Sequence, residues 1–221
     1  MERRPQLFRP RINKLARVTI FVGALIAVEL LLILIVFFRS NFWRQVNIAI
    51  EQPVAFSHYA HAGVVGTDCR YCHTSVDQSH FANIPPTETC VTCHTQVKRD
   101  SPRVQPIWQS WETGEPIRWQ RVHDLPDFVY FNHNVHVNNG VGCTECHGQV
   151  NEMEVVWKTE GLFMGWCLDC HRNPEQYLRP AEEVYNMDWQ RPDDQLVLGQ
   201  QLLKEYDINV SRLSNCYICH R

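Results

Sequence analysis

Five copies of the pattern C-x-x-C-H constrain this chain of 221 residues more than any other feature. They are Cys69-Arg-Tyr-Cys72-His73, Cys90-Val-Thr-Cys93-His94, Cys143-Thr-Glu-Cys146-His147, Cys167-Leu-Asp-Cys170-His171 and Cys216-Tyr-Ile-Cys219-His220, and they use all ten cysteines. Cysteines two residues apart also build zinc knuckles and thioredoxin-like redox pairs, but neither needs a histidine at the next position. Histidine fills 11 of the 221 positions, so five unforced coincidences have a probability on the order of one in a few million. The pattern suits covalent c-type haem: two thiols add to porphyrin vinyl groups as thioethers, and the adjoining imidazole becomes an axial ligand of the iron. Five c-type haems are therefore expected.

That number decides the fold class. The 177 residues after Arg44 leave about 35 for each haem, far fewer than a self-sufficient domain needs. Porphyrin burial, ligation and tethering must then supply most of the core. The expected architecture is mostly irregular, with short α-helices around the motifs and long links between them. The first cysteines of successive motifs lie 21, 53, 24 and 49 residues apart, giving two close pairs and a singleton.

Ahead of the motifs, Val18 to Phe38 is a nearly unbroken apolar run of 21 residues. As a helix it is about 31 Å long, enough to span a bilayer core. The first 44 residues carry a net +6 and the remainder −9. Six basic residues precede the run and two closely follow it, which places the N-terminus in the cytoplasm and the rest on the far side. The expected organisation is a cytoplasmic basic tail (1–17), a single transmembrane helix (18–38) and a periplasmic multihaem cytochrome c domain (39–221), in a bacterial cytoplasmic membrane. A cleaved signal peptide is the competing reading, but the run exceeds a usual h-region and no A-x-A-like site follows. The acidic body excludes nucleic acid as a partner. Glu29 falls twelfth in the apolar run, where an ionised carboxylate facing lipid costs several kcal/mol; it reads either as a protonated carboxyl tolerated by a very apolar helix or as a group that bonds a polytopic partner.

Two linkers connect the motif groups. Thr95 to Leu125 contains paired tryptophans, a Glu-Thr-Gly-Glu-Pro turn and alternation over Ile117 to Val122, and reads either as a hairpin over a haem edge or as a Trp-rich surface loop. Asn173 to Ser214 is polar, with helical character from Asp194 to Tyr206, and displays no chemistry of its own.

Each iron needs a sixth ligand, and six histidines lie outside the motifs: His58, His61, His80, His123, His133 and His136. Phe56-Ser-His58-Tyr-Ala-His61 and Phe131-Asn-His133-Asn-Val-His136 repeat the same spacing about ten residues before a motif. Histidines at i and i+3 share a helical turn, so one can serve the nearby haem and the other its neighbour. His58, His61, His133 and His136 are thus expected ligands. The fifth is open among His123, His80 and Met164, of which methionine would raise the potential of its haem.

The order helix, F-S-H-x-x-H, two motifs, W-x-R-V-H-D-L-P-D-F-V-Y-F-N-H-x-x-H, a third motif, M-G-W-C-L-D-C-H-R and a C-terminal motif resembles the pentahaem cytochrome subunit of bacterial alternative complex III. The resemblance spans most of the chain and is strongest over Trp119 to His136 and Met164 to Arg172. It favours His58, His61, His123, His133 and His136 as ligands, with Met164 as a sixth candidate, and leaves His80 outside the pattern. It implies an electron-transfer subunit of a quinol-oxidising respiratory or photosynthetic complex. The implied partners are a polytopic membrane quinol-binding subunit, an iron–sulfur subunit, and a monohaem cytochrome subunit or soluble carrier that accepts the electrons. With five irons and five sixth ligands, no vacant iron is expected and no residue is assigned a catalytic role. The alternatives are a membrane-anchored dehydrogenase that oxidises quinol directly and a multihaem terminal reductase; the latter would need an open iron. Mass spectrometry of the denatured, fully matured protein should add five haem increments to the polypeptide mass; four would leave one motif without cargo.

Overall fold

The computed structural model describes residues 9–220, so Arg3 and Arg4 of the basic head lie outside the described residues. The chain divides into two units, 1–45 and 46–221.

The first unit is dominated by α1, Pro10–Arg39. It begins earlier than the apolar run because Pro10 fits the first helical position and the following Asn-Lys-Leu-Ala-Arg stretch contains good helix formers. Among the described residues it is the one helix long and apolar enough to cross a membrane. Its side chains from Val18 to Phe38 are exposed, Glu29 among them. Thr19 Oγ1 donates to Leu15 O at 2.9 Å, satisfying its hydroxyl inside the helix. Ser40 ends the helix by turning extended and caps α2 (Asn41–Arg44), its Oγ accepting from Trp43 N at 3.3 Å. Trp43 packs edge-on to Phe38 at 4.9 Å and beside Phe37 at 5.3 Å. Such an aromatic collar suits the boundary between an apolar span and water.

The second unit carries a π-helical turn at Tyr59–Val64, then α3 (Cys69–Cys72), α4 (Thr87–His94), α5 (Gln105–Thr113), α6 (His133–Asn138) and α7 (Thr144–His147). After these come α8 (Met164–Arg172), α9 (Gln195–Glu205), α10 (Val210–Leu213) and α11 (Cys216–Cys219). Short 3₁₀ turns lie at Val150–Glu152, Pro174–Gln176 and Ala181–Glu183. Among the described residues there is no strand, only isolated bridges pairing Val46 with Lys158, Ala49 with Trp157 and Val141 with Leu178. The expected mixture of short helices and irregular links is what forms.

Of the two readings of Ile117 to Val122, hairpin or surface loop, the loop is what forms. Helix α5 occupies the first part of that linker, stopped by Gly114 in the left-handed region (φ 71°). The alternating residues that follow find no second strand. Instead the Gln52 side chain pairs with the backbone of Gln120 in both directions, at 3.0 Å each, which satisfies the groups a partner strand would have used.

Three small apolar clusters replace a continuous core. Val54, Val91, Val104 and Ile107 pack with Cys90, Trp108, Ile117 and Trp119 around the second motif. Val76, Val137 and Val184 join α6 to the segment after the first motif. Leu178, Leu202 and Leu203 dock α9 onto the turn at Pro174–Gln176. Each buried aliphatic contributes about 1.5–3 kcal/mol, so clusters of three or four offset the ordering entropy of only a few residues each.

Helix α9, expected from Asp194 to Tyr206, sits very near those bounds. Gln195 Nε2 donates to Glu175 O at 2.9 Å and Leu178 O at 2.8 Å, and Gly199 lets the helix backbone approach, since a Cβ there would overlap the Glu175 carbonyl. Gly199→Ala should therefore destabilise the protein by about 1–2 kcal/mol, because overpacking outweighs the helix-propensity gain. Gly165→Ala, in open space on α8, should leave the denaturant midpoint unchanged or raise it.

Candidate haem sites

In each C-x-x-C-H motif a helical turn places the residues at i, i+3 and i+4 on one face, so both sulfurs and the imidazole point the same way. Local caps enforce the turn. Asp68 accepts from Arg70 N at 2.8 Å, and Asn215 Oδ1 accepts from Tyr217 N at 3.2 Å. The histidine amide closes it, donating to the first cysteine carbonyl at 2.8 Å for His73, 3.0 Å for His147 and 2.9 Å for His220.

The hydrogen bonds of the rings reveal their tautomers. Nδ1 faces a backbone carbonyl in four motif histidines: His73 to Asn83 O (2.6 Å), His94 to Val97 O (2.9 Å), His171 to Leu213 O (2.9 Å) and His220 to Phe128 O (3.1 Å). A carbonyl can only accept, so Nδ1 carries the hydrogen and Nε2 keeps a free lone pair, the state an axial ligand requires. Three upstream histidines are held the same way: His61 by Ser57 O (2.7 Å), His133 by His80 O (2.8 Å) and His136 by Asn132 O (2.7 Å).

The two H-x-x-H segments superpose chemically although their backbones differ. His58 and His61 flank the start of a π-helical turn, not the α-turn expected, whereas His133 and His136 lie on α6. In both, the phenylalanine two positions ahead stacks on the second imidazole, Phe56 on His61 at 4.4 Å and Phe131 on His136 at 4.5 Å. Both rings also meet the first imidazole edge-on at 4.8 Å.

Three imidazole pairs have the separation that an iron between them demands. Two metal–nitrogen bonds of about 2.0–2.1 Å plus two ring radii give roughly 6.3 Å between centroids. His61 and His94 lie 6.1 Å apart, His136 and His171 6.1 Å, and His133 and His147 6.3 Å with rings within 10° of parallel. The residues present thus fit bis-histidine haem ligation. His123 sits differently: its Nε2 is 3.3 Å from His147 Nδ1 and its ring only 4.3 Å away, a direct hydrogen-bonded pair. His58 is placed beside His73 and His61; burial lowers its pKa to about 4, with the fields of those two rings adding to the effect. Burial likewise lowers His123 to about 4, aided by Lys158 and His133, and His147 to about 3, aided by His123 and His133. These rings are neutral at physiological pH, as ligands must be. His80 is exposed, its ring against Phe81 at 4.2 Å, and only its carbonyl joins the site. Met164 is 60% exposed at the start of α8. Among the described residues no group of three or more His, Cys, Asp or Glu is gathered so as to hold a metal ion directly.

Neighbouring motifs lie within reach of one another's fields. Tyr71 of the first and Thr92 of the second share a hydrogen bond at 3.0 Å. The Cys143 thiol of the third motif is the main influence lowering the Cys69 thiol of the first to about 7, and Cys69 together with burial raises that of Cys143. Burial raises Cys146 of the third motif to about 12, and Cys170 and Cys167 of the fourth contribute. Burial also raises Cys167, with Cys219 of the fifth adding to it.

Sequence reasoning missed the carbonyls that hold the rings, since a backbone oxygen has no residue signature. It also missed Arg179, a lone arginine buried against the third motif.

Known families match the same regions. Residues 40–116 match the class III cytochrome C family, and residues 129–221 match cytochrome c7 and related cytochrome c. Among curated proteins, the chain is similar to the "Menaquinone reductase, multiheme cytochrome c subunit" of Nitratidesulfovibrio vulgaris (strain Hildenborough). The two are 31% identical over 177 residues, covering 77% of each chain.

Proposed function

The chain belongs to the multihaem c-type cytochromes, and from that membership we propose that it is the electron-transfer subunit of a quinone-linked membrane complex. The observation that carries this reading is the continuity of the motifs. Tyr71 and Thr92 bond the first motif to the second, and the thiols of the first and third, the third and fourth, and the fourth and fifth motifs lie within one another's electrostatic fields. Haem supplies reversible one-electron carriage when bound; an unbroken series suits relay between two ends.

The chain's own residues set the conditions for relay. Backbone carbonyls orient the imidazoles, so little reorganisation accompanies a change of charge. In the proposed ligand set, His61 serves the second motif, His136 the fourth, His133 the third and His58 the first. His123 and Met164 are the candidates for the fifth position. Five haems would then be held, with residues 1–17 cytoplasmic, 18–38 spanning the bilayer and 39–221 periplasmic.

The sequence resemblance to alternative complex III supports quinol oxidation. Electrons would arrive from a polytopic quinol-binding subunit and an iron–sulfur subunit, and leave to a monohaem cytochrome or soluble carrier. The relative's name supports the opposite flow, from the periplasm into menaquinone. Solubilised complex mixed with menaquinol should show haem reduction within the turnover time if the first direction holds. Reduction only by a reduced periplasmic cytochrome, followed by menaquinone consumption, would establish the second. Absence of both overturns the quinone link.

His61→Ala and His136→Ala should each convert one haem from low to high spin without losing covalent haem, because attachment rests on the motif cysteines. Electron paramagnetic resonance with mass spectrometry reads both quantities. Unchanged low-spin signals in both variants would remove the proposed pairing.

A further inference from the structure

Among the described residues, Arg179 is the one charged side chain in the buried class, at 1% exposure. It comes from the link between the fourth and fifth motifs but is aimed at the third. Its Nη2 donates to Thr144 Oγ1 and to Glu145 Oε1, both at 2.8 Å. Thr144 and Glu145 are the two variable residues of Cys143-Thr-Glu-Cys146-His147. Nη1 donates to the carbonyls of Glu183 (3.4 Å) and Asn186 (3.3 Å), and the guanidinium lies over the Trp189 ring at 4.4 Å. Gly142, immediately before Cys143, leaves the space the guanidinium fills; any Cβ there would overlap it.

The charge is not fully compensated locally. Glu145 is shared with a second cation, Arg191, whose side chain is 45% exposed while that of Glu145 is 12% exposed. Two guanidiniums thus converge on one carboxylate, and the buried one lies against Gly142, the residue before Cys143. At the other motifs the variable residues carry no such group: Arg70 pairs with Asp68 at the surface, and Asp169 accepts from Tyr177 Oη at 2.6 Å.

A buried cation acts through a low local dielectric and is screened little by solvent. Beside an iron that changes its net charge by one on reduction, it favours the reduced state. We propose that Arg179 is a positioning residue that clamps the third motif and raises the midpoint potential of the haem attached there, with Glu145 opposing it. The electron gained comes from an adjacent haem in the series and leaves to the next, so the arginine changes the level of one site and not the path. This inference rests on the haem reading of the third motif.

The test uses the full chain carrying its haems. Spectropotentiometric titration of Arg179→Met should show one component of the redox curve moved to lower potential. Glu145→Gln, which keeps an acceptor for Arg179, should move one component to higher potential. Arg179→Lys, which retains the charge, should move it less than Arg179→Met. A purely structural clamp gives no such opposition of sign. If Arg179→Met does not mature, Glu145→Gln decides alone: an upward shift supports the proposal, and an unchanged or downward curve overturns it. Mass spectrometry of the unsubstituted protein separates the two failures, since absence of haem on the third motif peptide defeats the haem reading itself.

Discussion

Everything in the haem-motif unit depends on backbone carbonyls that hold imidazole Nδ1–H groups. Seven histidines are oriented this way, four in the motifs and three in the H-x-x-H segments. Each bond fixes a tautomer, aims Nε2 and ties a ring to a segment that would otherwise be a loose link. His220 is held by Phe128 O and His171 by Leu213 O, so the last motif is bound at one end to the segment before α6 and at the other to α8. Ring orientation and chain path are therefore one structural problem with one solution.

The motif contacts give a spatial order that differs from the order in sequence. The first motif adjoins the second through Tyr71 and Thr92 and also neighbours the third. The first and third motifs belong to different close pairs in sequence, and they meet through Cys69 and Cys143. The loop after the first motif secures this meeting: the His133 amide and ring both bond His80 O, Asn134 N donates to Ser79 O, and Asn138 Nδ2 donates to Asp77 O. Motif-bearing helices and polar loop contacts thus stand in for the apolar layers of an ordinary domain.

Much of this was legible in the sequence, and the failures have physical causes. The motifs, the long apolar helix, the short helices with irregular links and α9 follow from spacing, hydropathy and composition. The repeated Phe-x-His-x-x-His was readable as a repeat, and the three ring separations near 6 Å match an iron between them. The hairpin near Trp119 failed because a single side chain, Gln52, took the hydrogen bonds a strand would have made. The first H-x-x-H formed a π-turn because Tyr59 N bonds Met153 O, ninety-odd residues away, a contact that no local pattern encodes. Residues 173–214 looked free of chemistry because one arginine in a polar stretch is ordinarily a solvated surface group. Its burial is visible only once Gly142 and Trp189 are brought around it.

The pairing of His61 with His94 and of His136 with His171 carries a further consequence for chain topology. The partners are separated by 33 and 35 residues. In the proposed ligand set each iron is therefore a cross-link that closes a large loop, as a disulfide would. By the loop-closure relation used for disulfides, each such closure removes about 3–4 kcal/mol of entropy from the unfolded chain. In that set the ten thiols would be committed to thioether bonds and leave none for cystine, so coordination would take over the stapling that exported proteins commonly assign to sulfur. Unlike cystine, that staple opens under acid or a competing ligand and withstands thiol reductants.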